Sequence, residues 1–333
     1  MPLTLCSRLY IRSSYKSIAA QALSKGEPNG HKYVGITGTP GIGKLVFVYY
    51  VMWRLAKDRQ RTLFLTHKPP IYFDGSTMWV CNRLPHAYDR QFWRPDMWCL
   101  VDSADPIKIA GFPIHSCSVL LTTPLGRDRI GDFKKLAPPP TIFYMPLWSD
   151  EELASIAFLF PRATAVWKDR LSSLGGIPRL VLQDITTDPQ DLLTSVCSSC
   201  SFEDCIMWIS IFSDSNSTMN AVQYLVHMDS EEPYQEHKVA YASETAIKVI
   251  ARMKGWLIRT QLENLVYACD VNPLAHSLCH YFFKSYALDL LEQGGIFEYR
   301  RLSLLSAETQ QKILSSDSKY AKLIFRSHRN LGN

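Results

Sequence analysis

An α/β fold, a parallel sheet covered by helices and followed by a mostly helical C-terminal half, is what this sequence predicts. Three observations predict it. Short apolar runs of β type recur through the first 144 residues, separated by helical or looped stretches. One of them, Tyr33-Val34-Gly35-Ile36-Thr37, runs into a glycine-rich turn and then a helical stretch. Beyond Trp148 the patterns turn helical. At 333 residues the chain has room for about two domains and a buried core. Hydrophobic residues at 47% with a net charge of only +5 exclude disorder as the main state. Sixteen Gly and 19 Pro, spread without period, exclude a collagen-like chain.

The elements follow in order. Residues 9–23 read as a helix, and Lys25-Gly26-Glu27-Pro28-Asn29-Gly30 as a polar linker. The strand at 33–37 and a helix over 46–57 flank the glycine-rich turn. Further β-type runs lie at 62–65, 78–81, 98–101, 119–121 and 142–144. Pro138-Pro139-Pro140 forms a stiff loop into the last of them. Ser149 and Glu152 have capping-box spacing and open a helical segment. The expected organisation is an N-terminal helix and linker (1–30), a sheet domain (31–148), a helical lid (149–200) and a helical C-terminal region (201–333).

The turn is Gly38-Thr39-Pro40-Gly41-Ile42-Gly43-Lys44, which fits G-x-x-x-x-G-K in the strand-to-helix context the phosphate loop requires. Glycines let successive backbone N–H groups curl around a phosphate, and the following helix points its positive end at the same anion. Lys44 then bridges the outer phosphates as a compact cation. The next residue is Leu45, where the motif has Ser or Thr. That hydroxyl normally ligates Mg²⁺, so the metal site is weakened and hydrolysis with it. Met97-Trp98-Cys99-Leu100-Val101-Asp102 is an apolar run ending in an acid, the pattern that holds Mg²⁺ in such sites. Its successor is Ser103 rather than a Glu that would position water, with Asp105 nearby. Thr123, ending the next β-type run, has the place of a γ-phosphate sensor, and equally that of a simple strand cap. Arg179 in Gly175-Gly176-Ile177-Pro178-Arg179 is placed to bring charge from a lid, or to be a loop arginine. No Asn-Lys-x-Asp stretch reads guanine, since Thr66-His67-Lys68-Pro69 does not fit, so ATP is the default nucleotide.

Together these motifs resemble the core of Crinkler effectors, and of the related retrotransposon hot spot proteins. The resemblance rests on Tyr10-Ile11-Arg12-Ser13-Ser14-Tyr15-Lys16, the phosphate loop, Met145-Pro146-Leu147-Trp148-Ser149-Asp150-Glu151-Glu152-Leu153 and Gly175 to Arg179. Tyr241-Ala242-Ser243 and Gly294-Gly295-Ile296-Phe297-Glu298 extend it towards the C-terminus. It implies a P-loop NTPase sheet like those of AAA and STAND ATPases. It implies Lys44 on phosphate, Asp102 as the acid for Mg²⁺ and Arg179 as a lid arginine. It implies, too, an effector delivered into host cells, often to the nucleus. The family's Leu-rich delivery signature and a toxic domain after the NTPase core are not legible in the 333 residues.

Other features carry blander expectations. Nine cysteines at irregular spacing read as reduced thiols in an intracellular setting. Cys197 and Cys200, with Cys205, read as buried thiols rather than a zinc site. Glu236-His237-Lys238 contains a nuclease-like E-x-K fragment and reads as surface charge. Trp93, Trp98 and Trp148 read as core, and Arg127-Asp128-Arg129 with Lys134-Lys135 as a solvated basic face. The apolar stretch before Arg8 is too short for a signal peptide, and no apolar run approaches the roughly 20 residues of a bilayer span. Three functions stay open. The first is an ATP-binding switch with Mg²⁺ held weakly through Asp102 and hydrolysis weak or lost. The second is a non-catalytic module that displays surfaces to a protein partner, host proteins included. The third is a nucleic-acid-processing effector, which predicts steeply salt-dependent DNA binding.

Overall fold

The computed structural model describes residues 9–24, 30, 32–65, 69–102, 112–123, 132–201, 224–254 and 284, with the backbone of strands at 295–299 and 321–325. A seven-stranded sheet forms the centre. Its strands are β1 (Tyr33–Thr37), β2 (Thr62–Phe64), β3 (Ile71–Phe73), β4 (Met78–Val80), β5 (Trp98–Asp102), β6 (Ser118–Thr122) and β7 (Thr141–Tyr144), in the order β4-β3-β2-β5-β6-β1-β7. β2, β5, β6, β1 and β7 are mutually parallel. The parallel sheet is as expected, and β3 and β4 add an antiparallel edge to it. The reason is reach. A parallel return needs a crossover of a dozen or more residues, and the connections 65–70 and 74–77 are far shorter. β3, a three-residue strand behind Pro69-Pro70, was not anticipated at all.

Burial explains why the middle strands read as continuous apolar runs. All five residues of β1 and all five of β6 are buried, because helices or loops cover both faces. Along β6 alternate side chains serve two layers. Leu120 joins Ile36, Phe47, Val51, Leu100 and Phe143 on the helical face. Val119 and Leu121 join Tyr33, Trp93, Met97, Cys99 and Phe133 on the other. Trp93 and Trp148 are core residues, as expected. The helical face carries α1 (Ser13–Ala22) and α2 (Lys44–Lys57).

Three helices follow the sheet: α3 (Asp150–Ala157), α4 (Trp167–Leu174) and α5 (Pro189–Ser199), with a π-type turn at Arg179–Gln183. The capping box is present, with the Glu152 amide donating to the Ser149 hydroxyl and the Ser149 amide to the Glu152 carboxylate, each at 3.2 Å. Beyond residue 201 the helix α6 (Glu244–Lys254) is joined by two antiparallel strand pairs. They are β8 (Val226–Asp229) with β9 (Lys238–Tyr241), and β10 (Gly295–Tyr299) with β11 (Ala321–Phe325). Among the described residues these strand pairs stand beside the expected helix; four- and five-residue strands are too short to announce themselves by periodicity. A third apolar cluster joins Leu174, Ile177, Cys197, Val226, Ala246 and Ile250, with Cys200 buried in it too. Cys205 and Arg127 to Arg129 lie outside the described residues. Among the described residues, no helix is long and apolar enough to cross a membrane.

Candidate functional site

Parallel strands end at the same side of the sheet, and there the candidate residues collect. The phosphate loop leaves the end of β1. Asp102 is the last residue of β5 and Thr122 the last of β6, in register with each other, while Thr122 is also in register with Ile36 of β1. Gly38, Gly41 and Gly43 have φ of 146°, 84° and 105°, values only glycine adopts cheaply. Gly43 caps α2, whose first bond runs from the Phe47 amide to the Gly43 carbonyl at 3.0 Å. The amides of Lys44, Leu45 and Val46 therefore precede the helical ladder and form its positive end. α2 begins two residues earlier than the sequence suggested, because the loop's last turn continues straight into it.

The Lys44 ammonium donates to the carbonyls of Gly38 at 2.8 Å and Thr39 at 3.1 Å. Burial lowers its pKa from 10.5 to about 7, with Asp102 pulling it back up and Arg179 pushing it down. Asp102 accepts a hydrogen bond from the Thr122 hydroxyl, which fixes the carboxylate at the strand end. Pro40, Gly41, Gly43, Lys44, Leu45, Asp102 and Arg179 line one open cleft of about 500 Å³. Leu45 is 39% exposed there, an apolar side chain on the first helical turn beside Lys44. Arg179 comes from the lid and packs on the loop; a Cβ at Gly41 would sit 3.0 Å from its Cβ.

Other predicted residues serve differently. Gly38, Thr39 and Ile42 are not on the cleft wall; Thr39 and Ile42 are buried. The Thr39 hydroxyl accepts from the Met228 amide at 2.9 Å and lies 3.3 Å from its carbonyl, tying the loop to β8. Thr123 is 1% exposed, with its amide on the Ile36 carbonyl at 3.0 Å. Thr122, which carried no expectation, is the threonine that touches Asp102. Lys238 pairs with Glu231, and His237 stacks on Tyr144 at 4.2 Å, so the E-x-K fragment is engaged in surface and ring contacts.

Sequence reasoning missed a support built from the N-terminal motif. Arg12 is 2% exposed and forks onto the Glu152 carboxylate at 2.8 and 2.7 Å. It also donates to the carbonyls of Pro146 at 2.9 Å and Leu147 at 2.6 Å, and lies 4.7 Å from the Trp148 ring. Trp148 in turn donates its indole N–H to the Ile42 carbonyl at 2.9 Å. Tyr15 donates to the Gly43 carbonyl at 2.9 Å, and its burial raises the phenol's pKa. Trp148 also donates its amide to the Gly176 carbonyl at 2.9 Å; a Cβ on Gly176 would fall 2.3 Å from the Trp148 carbonyl. The motif residues at 10–16, 145–153 and 175–179 thus meet at the phosphate loop. The only signal for this in the sequence was their shared order.

No protein-family model matches the chain. Over 302 residues, 91% of its length, it is 55% identical to Crinkler effector protein 15 of Phytophthora infestans. It is likewise 55% identical over 302 residues to Crinkler effector protein 16 of the same organism. The match takes in 49% of each, so the chain spans about half the length of the curated relatives it matches. Among solved structures it is similar to Cdc6p of Pyrobaculum aerophilum, with TM-score 0.34 and 12% identity over 79% of this chain and 97% of that one. It is also similar to the Aeropyrum pernix Orc1 protein in complex with DNA, with TM-score 0.28 and 10% identity over 72% and 91%.

Proposed function

We propose that this chain, a Crinkler-family sequence over 91% of its length, is a nucleotide-binding switch that takes ATP on its phosphate loop. The observation that carries the proposal is the shared cleft, where Lys44 and Leu45 at the start of α2, Asp102 and Arg179 line one open space. Loop and ammonium bind the β- and γ-phosphates. Arg179 adds charge from the lid, and Thr123, the residue after Asp102's partner Thr122, is the candidate γ-phosphate sensor. Of the described residues on the cleft wall, Asp102 alone carries a carboxylate, and position 45 has no oxygen. Magnesium commonly binds through one or two carboxylates plus phosphates and several waters, so Asp102 with the nucleotide suffices to hold it, less firmly than with a hydroxyl at 45. When bound, the ion neutralises charge building on the phosphates. Hydrolysis is accordingly slow or lost, and nucleotide occupancy rather than turnover is the output.

Three contacts give that occupancy a path outward. The loop touches the lid at Arg179, β8 through Thr39 and Met228, and α1 through Tyr15. Ligand that tightens the loop biases all three. The relatives are named effectors, and the proposal takes delivery into a host cell from the Crinkler resemblance, with a host protein as the receiver of the switched surface. A second reading, a module that has given up nucleotide and only displays surfaces, is favoured by one observation, the exposed Leu45 in the cleft. Turnover of ATP with Mg²⁺ by the native chain and a Leu45→Ser variant separates them. The proposal expects slow native turnover that rises at least tenfold in Leu45→Ser. Absence of both binding and turnover in either chain would establish the second reading.

A further inference from the structure

The buried face of α4 is Trp167, Arg170 and Leu174, spaced by three and four, so an arginine stands where that face calls for an apolar residue. Arg170 is 3% exposed. Its guanidinium donates through Nε to the Leu180 carbonyl at 2.8 Å, through Nη1 to the Thr187 carbonyl at 2.7 Å and through Nη2 to the Asp184 carbonyl. The Asp188 and Asp184 carboxylates favour its charge, against the burial that lowers its pKa. The three carbonyls lie on one stretch of chain that begins in the π-type turn Arg179–Gln183. In that turn the Asp184 amide closes on the Arg179 carbonyl at 2.8 Å, and the Ile185 amide bends back to the Gln183 carbonyl at 3.0 Å. Neither amide is left for the Leu180 carbonyl, and the Arg170 Nε–H bonds it instead.

This grip is aimed. Arg179 and Gln183 are the two polar residues of the turn, and both line the cleft with Lys44 and Asp102. The residues directly after them, Leu180 and Asp184, are two of the three whose carbonyls Arg170 holds. Packing fixes the rest of the turn, since Leu180 joins the third apolar cluster while Val181 and Leu182 join the helical face of the sheet. We propose that Arg170 is a positioning residue for the nucleotide site: it pins the π-type turn from below and so holds Arg179 against the phosphate loop before a ligand arrives. The proposal rests on the nucleotide-binding reading above. A π-type turn is a rare form that needs outside support. With the turn held in place, binding does not have to order Arg179, and its charge meets the phosphates without that entropic cost.

Calorimetry of ATP binding with Mg²⁺ on the full chain tests this, using Arg170→Met, Arg179→Ala and the double variant, with thermal unfolding beside it. Each single change is expected to weaken ATP by about tenfold, and the double variant to be within about twofold of Arg179→Ala, because Arg170 acts only through Arg179. A support that merely stabilised the fold would lower Tm, and its effect on affinity would multiply with that of Arg179→Ala. Arg170→Lys keeps the charge and reaches fewer carbonyls; it is expected to weaken ATP by about threefold with Arg179 present and not in its absence, and decides the matter if the methionine variant fails to fold. Native affinity in a folded Arg170 variant, or losses that multiply, overturns the proposal. If the native chain binds ATP and Lys44→Ala does not, such a result leaves the nucleotide reading standing; a native chain that binds no ATP overturns both.

Discussion

Replacing Arg12 with Met keeps most of the buried stem and deletes the guanidinium. What it leaves is costly. The Glu152 carboxylate, with a side chain 18% exposed, loses both of its forked bonds, and the carbonyls of Pro146 and Leu147 lose their donor. Removing one partner of a buried ion pair costs about 3–5 kcal/mol, because the remaining charge is uncompensated. The partial exposure of Glu152 argues for the low end, about 3 kcal/mol. At roughly 2–4 °C per kcal/mol for a unit of this size, Tm falls by about 6–12 °C. Because Trp148 links Arg12 to the Ile42 carbonyl of the phosphate loop, ATP affinity falls as well, by about tenfold if 1.4 kcal/mol of the strain reaches the loop. The assay is thermal unfolding of Arg12→Met, Glu152→Gln and the double variant, with ATP titrations beside it. A neutral amide at 152 tolerates loss of the guanidinium, so the double variant is expected to be more stable than Arg12→Met alone. A Tm change under about 2 °C for Arg12→Met, or costs that simply add, would refute this account of the N-terminal motif.

Two further outcomes follow from the loop itself. In Gly43→Ala the new methyl lies 2.5 Å from the Tyr15 hydroxyl at a φ of 105°, so stability drops by about 1–3 kcal/mol and ATP binding is lost; adding Tyr15→Phe recovers part of the stability in urea unfolding, and no recovery would show that backbone strain alone is responsible. The Lys44 ammonium, with a pKa lowered to about 7, loses its proton as pH rises through that value, whereas bound phosphates favour the charged form. Affinity for ATP is therefore highest below pH 7 and falls as pH rises above it. Binding at alkaline pH draws in close to one proton, read from calorimetry in buffers of different ionisation heat; binding with no proton uptake would contradict this.

The phosphate loop was legible because its chemistry leaves little choice of residues: glycines where φ is positive, a lysine at the helix start, an apolar strand before and a helix after. The capping box at Ser149 was legible for the same reason, since both partners lie within four residues. What could not be seen was contact across sequence. Arg12 and Glu152 are 140 positions apart, and Thr39 and Met228 are 189 apart, and no local pattern encodes such pairs. The antiparallel turn of β3 and β4 was hidden behind a three-residue run, and its direction came from loop length rather than composition. Position 45 stood out at once because it breaks the motif. Its consequence became concrete when the structure put an exposed leucine on the wall shared with Lys44 and Asp102.

The central claim is that the loop and Lys44 hold a nucleotide's phosphates, and calorimetry of ATP binding with and without Mg²⁺ tests it most directly. Native chain is expected to bind in both conditions, with only a modest gain from Mg²⁺ because Leu45 gives it no ligand. Lys44→Ala is expected to fold with undiminished Tm, since a buried ammonium is removed, and to bind at least a hundredfold more weakly. Equal affinity in the native chain and Lys44→Ala would contradict the account.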